Sequence, residues 1–415
     1  MKSRLRISIV FFALVLYSCI DPYTPNLSEY VSLLVVDGLI TNSDISNTVR
    51  LSRTFQQQNS SPSMVSDATV YITDDTENSF NLANKGNGIY KTDSLEFKGI
   101  PGRTYVLHVI TNDGDEYESD PCVMLPVPEI DSIYFQKNQQ LFNNGTQAED
   151  GITIYLDSQE GTDQYYRWSY DETWKFKVPY PKEFDYIKIP GQPDNPVFRP
   201  VKDKKEFGWK SNQSGEILIR SITVGQSEKI LKQPVSFIAT DQTDRLLVQY
   251  SVLVKQYSIS KEEYDFWNNL KQVNESGSDI FAKQPYSVIS NIHSVKKSNT
   301  RVLGYFQVSA VSEKRKYILY RDVALMNLHF YSYPCRTWQY SPIDFETMCT
   351  DCPRKTWDDV MWYLTIASDY IFIKPLYLGQ VQSGGLSALV FTRLECSTCE
   401  VSGTSEKPSF WIDLK

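Results

Sequence analysis

RTYVLHVIT (residues 103–111) decides the fold class. Tyr105, Leu107 and Val109 recur every second residue, which puts them on one face of an extended strand. Turn signals bracket the run: Pro101-Gly102 before it and Asn112-Asp113-Gly114-Asp115 after it. Outward from there, SLLVVDGLIT (32–41), TVRLS (48–52), ATVYITD (68–74), SFNLA (79–83), GIYKTDS (88–94) and EYESD (116–120) read the same way. Several short strands at steady spacing predict a β-sandwich of immunoglobulin-like or transthyretin-like type over residues 31–125.

Leu125-Pro126-Val127-Pro128 reads as a stiff boundary. A larger β-rich domain is expected over 126–334, with runs such as QYYRWSYDETWKFKV (164–178) and RLLVQYSVLVKQYSI (245–259). Pro179 to Pro200 holds six prolines without periodicity and reads as a long surface loop. One helix is well signalled. Ser260 caps it, Glu263 is placed as the reciprocal capping partner, and Tyr264, Trp267, Leu270 and Lys271 share a face, with Trp267 expected as a core anchor. A second short helix is expected at Thr356 to Leu364, with Val360, Met361 and Leu364 inward. A Cys-rich segment over 335–415 is expected to pack on the second domain. The fold class is therefore mainly β with one or two short helices.

The 415 residues are 41% hydrophobic and 22% charged, which is ordinary globular usage and excludes a disordered or multi-span membrane chain. The net charge of −8, with no basic block, leaves no footprint for nucleic acid. Only His108, His293 and His329 are present, so His-based catalysis or metal binding is a poor expectation. HExxH, P-loop, GxGxxG after a strand and GxSxG are all missing from the sequence. Asp113 to Glu116 reads as a hairpin turn, since a lone acidic turn supplies too few ligands for calcium. The expectation is a non-enzyme without cofactor or metal.

The N-terminus reads as an address. Lys2, Arg4 and Arg6 precede an apolar run, ISIVFFALVL (7–16), too short to cross a bilayer but right for a signal-peptide core over residues 1–18. Leu16-Tyr17-Ser18-Cys19 looks like a bacterial lipobox, which implies cleavage before Cys19 and lipid on its thiol. Residues 19–30, with Pro22 and Pro25, form a short tether.

Six further cysteines remain: Cys122, Cys335, Cys349, Cys352, Cys396 and Cys399. In an exported chain they read first as disulfides, with all 15 pairings of six cysteines open. Cys349-x-x-Cys352 and Cys396-x-x-Cys399 also have the ligand spacing of a four-thiolate zinc site, although the gap between them is long. A redox role is the weakest option, because Val401-Ser402-Gly403 after Cys399 is not helical. Cys122, alone at the end of the first domain, is a candidate for a bridge to the C-terminal cluster.

Several stretches together carry a resemblance. Val35-Val36-Asp37-Gly38-Leu39-Ile40-Thr41 follows the lipobox; Tyr250-Ser251 to Gln256-Tyr257 precede the capped helix with Phe266-Trp267. Asn291-Ile292 and Val302-Leu303-Gly304-Tyr305-Phe306 come next, and the chain ends with Cys396-x-x-Cys399, Gly403, Lys407-Pro408 and Phe410-Trp411. This resembles the Bacteroidetes outer-membrane lipoprotein family catalogued as domain of unknown function 4249. The resemblance implies an outer-membrane lipoprotein, on the periplasmic or the outer face, working beside a TonB-dependent β-barrel transporter in nutrient uptake. It carries no catalytic residues. Relatives often have a cysteine where this chain has Gly208, before Trp209. The leading expectation is a non-catalytic accessory or ligand-binding subunit. The alternatives are a surface hydrolase acting on a polymer and a structural adhesin.

Overall fold

The computed structural model describes residues 32–55, 62–142, 147–161, 165–222, 229–276, 288–297, 300–344, 356–378 and 385–414. The architecture is mainly β, as the alternation predicts. The first body is a sandwich of two sheets. One runs in the order Leu303–Val308, Leu34–Ile40, Thr48–Arg53, Ile89–Lys91, Ala83–Asn84; the other runs Ile292–Ser294, Glu116–Ser119, Thr104–Ile110, Thr69–Asp74, Ser79–Asn81. Tyr105, Leu107 and Val109 point inward as expected and meet Val36, Ile40, Leu51, Ile72 and Tyr90 in the core.

Two of these strands correct the expected boundaries. The sandwich does not end at residue 125, because Ile292–Ser294 and Leu303–Val308 return to complete one edge of each sheet. Leu303–Val308 lies parallel to Leu34–Ile40, with Phe306 opposite Gly38. A Cβ on Gly38 would stand 3.0 Å from the Phe306 ring, so the glycine lets that ring lie flat on the strand. The second body is therefore an insertion into the first, and the returning strands cover backbone edges that would otherwise be open.

The second body also has two sheets. Phe207–Gln213, Tyr165–Lys177, Gln249–Ser258 and Val311–Leu319 form one; Ile130–Phe142, Gln147–Ser158 and Gln233–Ala239 form the other. Ile152, Ile154, Trp168, Phe176, Val252, Val254 and Ile318 fill the space between.

A third, smaller sheet, in the order Trp338–Tyr340, Leu386–Arg393, Tyr370–Tyr377, carries the helix Trp357–Trp362. Thr356 and Asp359 form the capping box that starts this helix, and a wider π-type turn over Tyr363–Ala367 ends it. Val360 and Leu364 are buried, with Met361 packed beside them. The stretch Pro179–Pro200 is not a loop. Phe184–Ile187 pairs with Val197–Pro200, and Phe184, Tyr186 and Phe198 pack on Phe372, Leu389 and Phe391 of the small sheet. Burial of three aromatics outweighs the local proline signal, and the prolines sit at the ends of the hairpin or in its turn.

The helix Lys261–Ser276 starts as predicted, with Ser260 Oγ accepting from the Glu263 N–H at 3.1 Å. Glu263 departs from its expected capping role. Its carboxylate is buried and accepts from Trp267 Nε1 at 3.3 Å and from Ser309 Oγ at 3.4 Å. Trp267 is half-buried, stacked on an arginine and not a core anchor; Phe266 is the buried aromatic of that turn.

Candidate functional site

The cysteines come first, because the sequence singled them out. Cys19, Cys349 and Cys352 lie outside the described residues. Cys335 and Cys396 form a disulfide with their Cα atoms 5.9 Å apart. This corrects the zinc reading, since Cys396 is spent on that bond and supplies no thiolate. Among the described residues no three His, Cys, Asp or Glu side chains cluster as a metal site.

Cys122 and Cys399 are free thiols. The bridge from Cys122 to the C-terminal segment is not formed. Its neighbours are Asn291 Nδ2 at 3.3 Å and the carbonyls of Asp120 and Phe306, all of the first body. Burial, reinforced by Glu263, pushes the Cys122 thiol up to about 12, which removes it as a nucleophile at neutral pH. Cys399 is buried against Gly208, where a Cβ would lie 2.7 Å from the Cys399 Cβ. The cysteine that the resemblance implies for relatives at this position would face Cys399, and its replacement by glycine leaves Cys399 unpaired.

The other flagged groups are structural. His108 stacks on Tyr71, with ring centroids 4.5 Å apart, and its Nε2 lies 2.9 Å from Thr73 Oγ1; burial lowers its pKa. His293 lies 3.6 Å from Asp120, and the His329 carbonyl accepts from Thr240. In the acidic turn, Asp113 pairs with Arg53, Asp115 with Lys297 and Glu116 with Lys296, so cations already satisfy the carboxylates. Buried Glu172 takes Arg245 on both oxygens and the Tyr250 hydroxyl besides. A second cavity, of about 340 Å³, is walled by the disulfide and by Asp244. Burial works to raise the Asp244 pKa, but bonds from Lys210, Tyr333 and Trp174 hold it below the usual range.

A further feature is a cleft of about 460 Å³ between the two bodies. The first body supplies Asp37, Thr48 and Arg50, and the returning strand supplies Gln307. The second body supplies Arg167, Lys255, Tyr257 and the Ser214–Leu218 stretch, and the helix adds Trp267. Cross-strand register sets Arg167 opposite Tyr257, and Trp267 comes one helical turn after Glu263. The guanidinium thereby packs on two rings, 4.5 Å from the Tyr257 centroid and 4.8 Å from that of Trp267. Arg167 Nε is buried without a hydrogen bond, and the nearest carboxylate, Glu263, is 4.0 Å away. Burial outweighs that attraction and raises the Glu263 carboxyl to about 7. Lys255 is bonded to Asp171 at 2.8 Å. Gln307 is 4% exposed, and its Oε1 has no partner. The cleft thus gathers polar groups of both bodies, two of which carry a buried atom without a hydrogen-bond partner.

Sequence reasoning missed Arg167, Gln307 and Tyr257 as site residues and misplaced Glu263 and Trp267. The one local trace is an arginine inside the aromatic run QYYRWSY.

No curated protein matches this chain. A solved structure titled "Biofilm associated protein - BSP domain" aligns at 8% identity over 70% of this chain and 62% of that one, with a TM-score of 0.10, which is too low to establish a shared architecture. The match that counts spans both β bodies. Over residues 20–315 the chain fits the family described as "Domain of unknown function (DUF4249)", and it belongs to that family.

Proposed function

We propose that the protein is a lipid-anchored cell-envelope protein that acts as a non-catalytic, ligand-binding accessory subunit of an outer-membrane β-barrel transporter. The observation that carries the binding role is the cleft between the bodies, where Arg167 is held rigid by two rings and, with Gln307, lacks a hydrogen-bond partner. A group fixed in this way is built to receive a partner from outside. The anchor rests on the lipobox ending at Cys19, and the transporter on the family resemblance.

The test is isolation of the native protein from outer membranes in mild detergent, with bound proteins identified by mass spectrometry. Stoichiometric recovery of a β-barrel transporter is expected, and recovery of the lipoprotein alone overturns the accessory role. Metabolic labelling with a palmitate analogue tests the anchor: label is expected on the native chain and lost in Cys19→Ala.

A further inference from the structure

We propose that the cleft between the two bodies binds a small organic carboxylate that carries a hydrogen-bond donor beside the acid group. The carboxylate lies along the edge of the Arg167 guanidinium, and the donor meets Gln307 Oε1, a buried atom that the amide must turn toward the cleft to present. This deepens, and rests on, the reading of the protein as a ligand-binding subunit.

The geometry of Arg167 sets the first half of the ligand. The guanidinium carbon lies 4.5 Å from the Tyr257 ring centroid and 4.8 Å from that of Trp267, and its N–H edge is the part that donates hydrogen bonds. That edge presents parallel N–H donors, the fork that a carboxylate accepts with both oxygens. The side chain is 13% exposed and makes no hydrogen bond among the described residues. Its ion-pair partner Glu263 stands 4.0 Å away, and a bound carboxylate supplies the hydrogen bonds that this pair lacks.

Gln307 sets the second half. It is buried in the wall contributed by the first body, and its unpaired Oε1 accepts but cannot donate. It therefore selects a hydroxyl or an amide N–H. The other charged residues lining the cleft are Lys255, bonded to Asp171, Asp37, opposite Arg50 in the strand register, and Glu216. The volume of about 460 Å³ suits a ligand of monosaccharide to dipeptide size. A uronic acid and a free peptide C-terminus share this chemistry.

Isothermal titration calorimetry on the purified full-length protein in detergent tests the inference. The probes are D-glucuronate and N-acetylglycyl-alanine, with D-glucose and N-acetylglycyl-alaninamide as their neutral counterparts. An acid is expected to bind and its neutral counterpart not to, and the acid that binds identifies the source. Arg167→Lys keeps the charge but loses the fork, and weakens binding about tenfold or more. Gln307→Leu weakens it independently and carries the test should the first variant fail to fold. Binding by neither acid, equal binding of a neutral control, or unchanged affinity in both folded variants overturns the proposal. If the acids fail while the transporter is still recovered, the ligand class falls and the accessory role stands.

Discussion

Glu263→Gln is expected to stabilise the protein above neutral pH and to do almost nothing in acid. Glu263 is buried beside Trp267, Ser309 and Arg167, with Cys122 and Tyr305 close by, and its carboxyl is raised to about 7 from the ordinary 4.5. The folded state therefore prefers the neutral acid. Below about 4.5 both folded and unfolded chains are protonated, and the group adds nothing. Between 4.5 and about 7 the unfolded chain releases its proton first, so stability falls as pH rises. Above about 7 the folded chain carries the full cost of a buried carboxylate, roughly 3 kcal/mol from the gap between those two values. Glutamine imitates the neutral acid, its Oε1 accepting from Trp267 and its Nε2 donating to Ser309 Oγ. The assay is urea unfolding of both proteins at pH 4 and pH 8, followed by tryptophan fluorescence. With a slope of about 3 kcal/mol per molar, the midpoints should coincide at pH 4 and differ by about 1 M at pH 8, the variant being higher. Comparing variant with wild type at each pH cancels every other titrating group. An equal offset at both values, or a variant less stable at pH 8, refutes the reasoning, because the Arg167 attraction would then outweigh burial.

Loss of the Cys335–Cys396 bond in Cys396→Ser should cost about 4 kcal/mol, given a closed loop whose ends are 61 residues apart; calorimetry with and without reductant reads it. Arg245→Met leaves Glu172 buried without its cation, though still bonded by Tyr250 and Asn212, and should cost about 3 kcal/mol in urea unfolding, the low end of the range for a broken buried pair because Arg245 is 26% exposed. Cys122, with its thiol near 12, should resist iodoacetamide at pH 8 in the native protein and react at once in urea; rapid native labelling would contradict its burial. Gly208→Cys should oxidise with Cys399 once the strand edge gives by about an ångström, since a Cβ there starts 2.7 Å away and a disulfide needs about 3.5–4.5 Å; peptide mass mapping detects the bridge.

What was legible in the sequence was local. The alternation of Tyr105, Leu107 and Val109 needs only one strand to be read, and the capping signals at Ser260 and Thr356 need only four residues each. What failed was non-local. RVLGYFQVSAV reads as a strand, but nothing in it says that Phe306 will lie beside Gly38 of the first strand. Phe184–Ile187 is too short to stand alone and exists because Phe372 and Phe391 cover it, a case of packing overriding local preference. At Glu263 two local rules competed, capping and burial, and burial prevailed. The cleft has no motif because Arg167 meets Tyr257, Glu263, Trp267 and Gln307 only after both bodies have folded.

The insertion explains why that cleft holds its shape. A single linker between domains leaves relative motion as the default, but here the chain crosses twice, and the crossings are fastened together. Leu125 on the way out forms a bridge with Ser309 on the way back. Ser312 Oγ accepts from the Ile130 N–H at 3.1 Å and bonds Glu129, and Gln256 of the second body donates to the Pro128 carbonyl at 2.8 Å. Asn42 of the first body accepts from the Val311 N–H at 2.8 Å. Glu263 bonds Ser309 at this same double crossing while its other oxygen faces Arg167. The junction that fixes the two bodies therefore also positions the cation of the cleft. A ligand bound as proposed above would meet walls and a charge already in place, and would spend little of its binding energy on ordering them. In this chain that preorganisation comes from topology, because returning two strands to the first sandwich doubles the connection to the second.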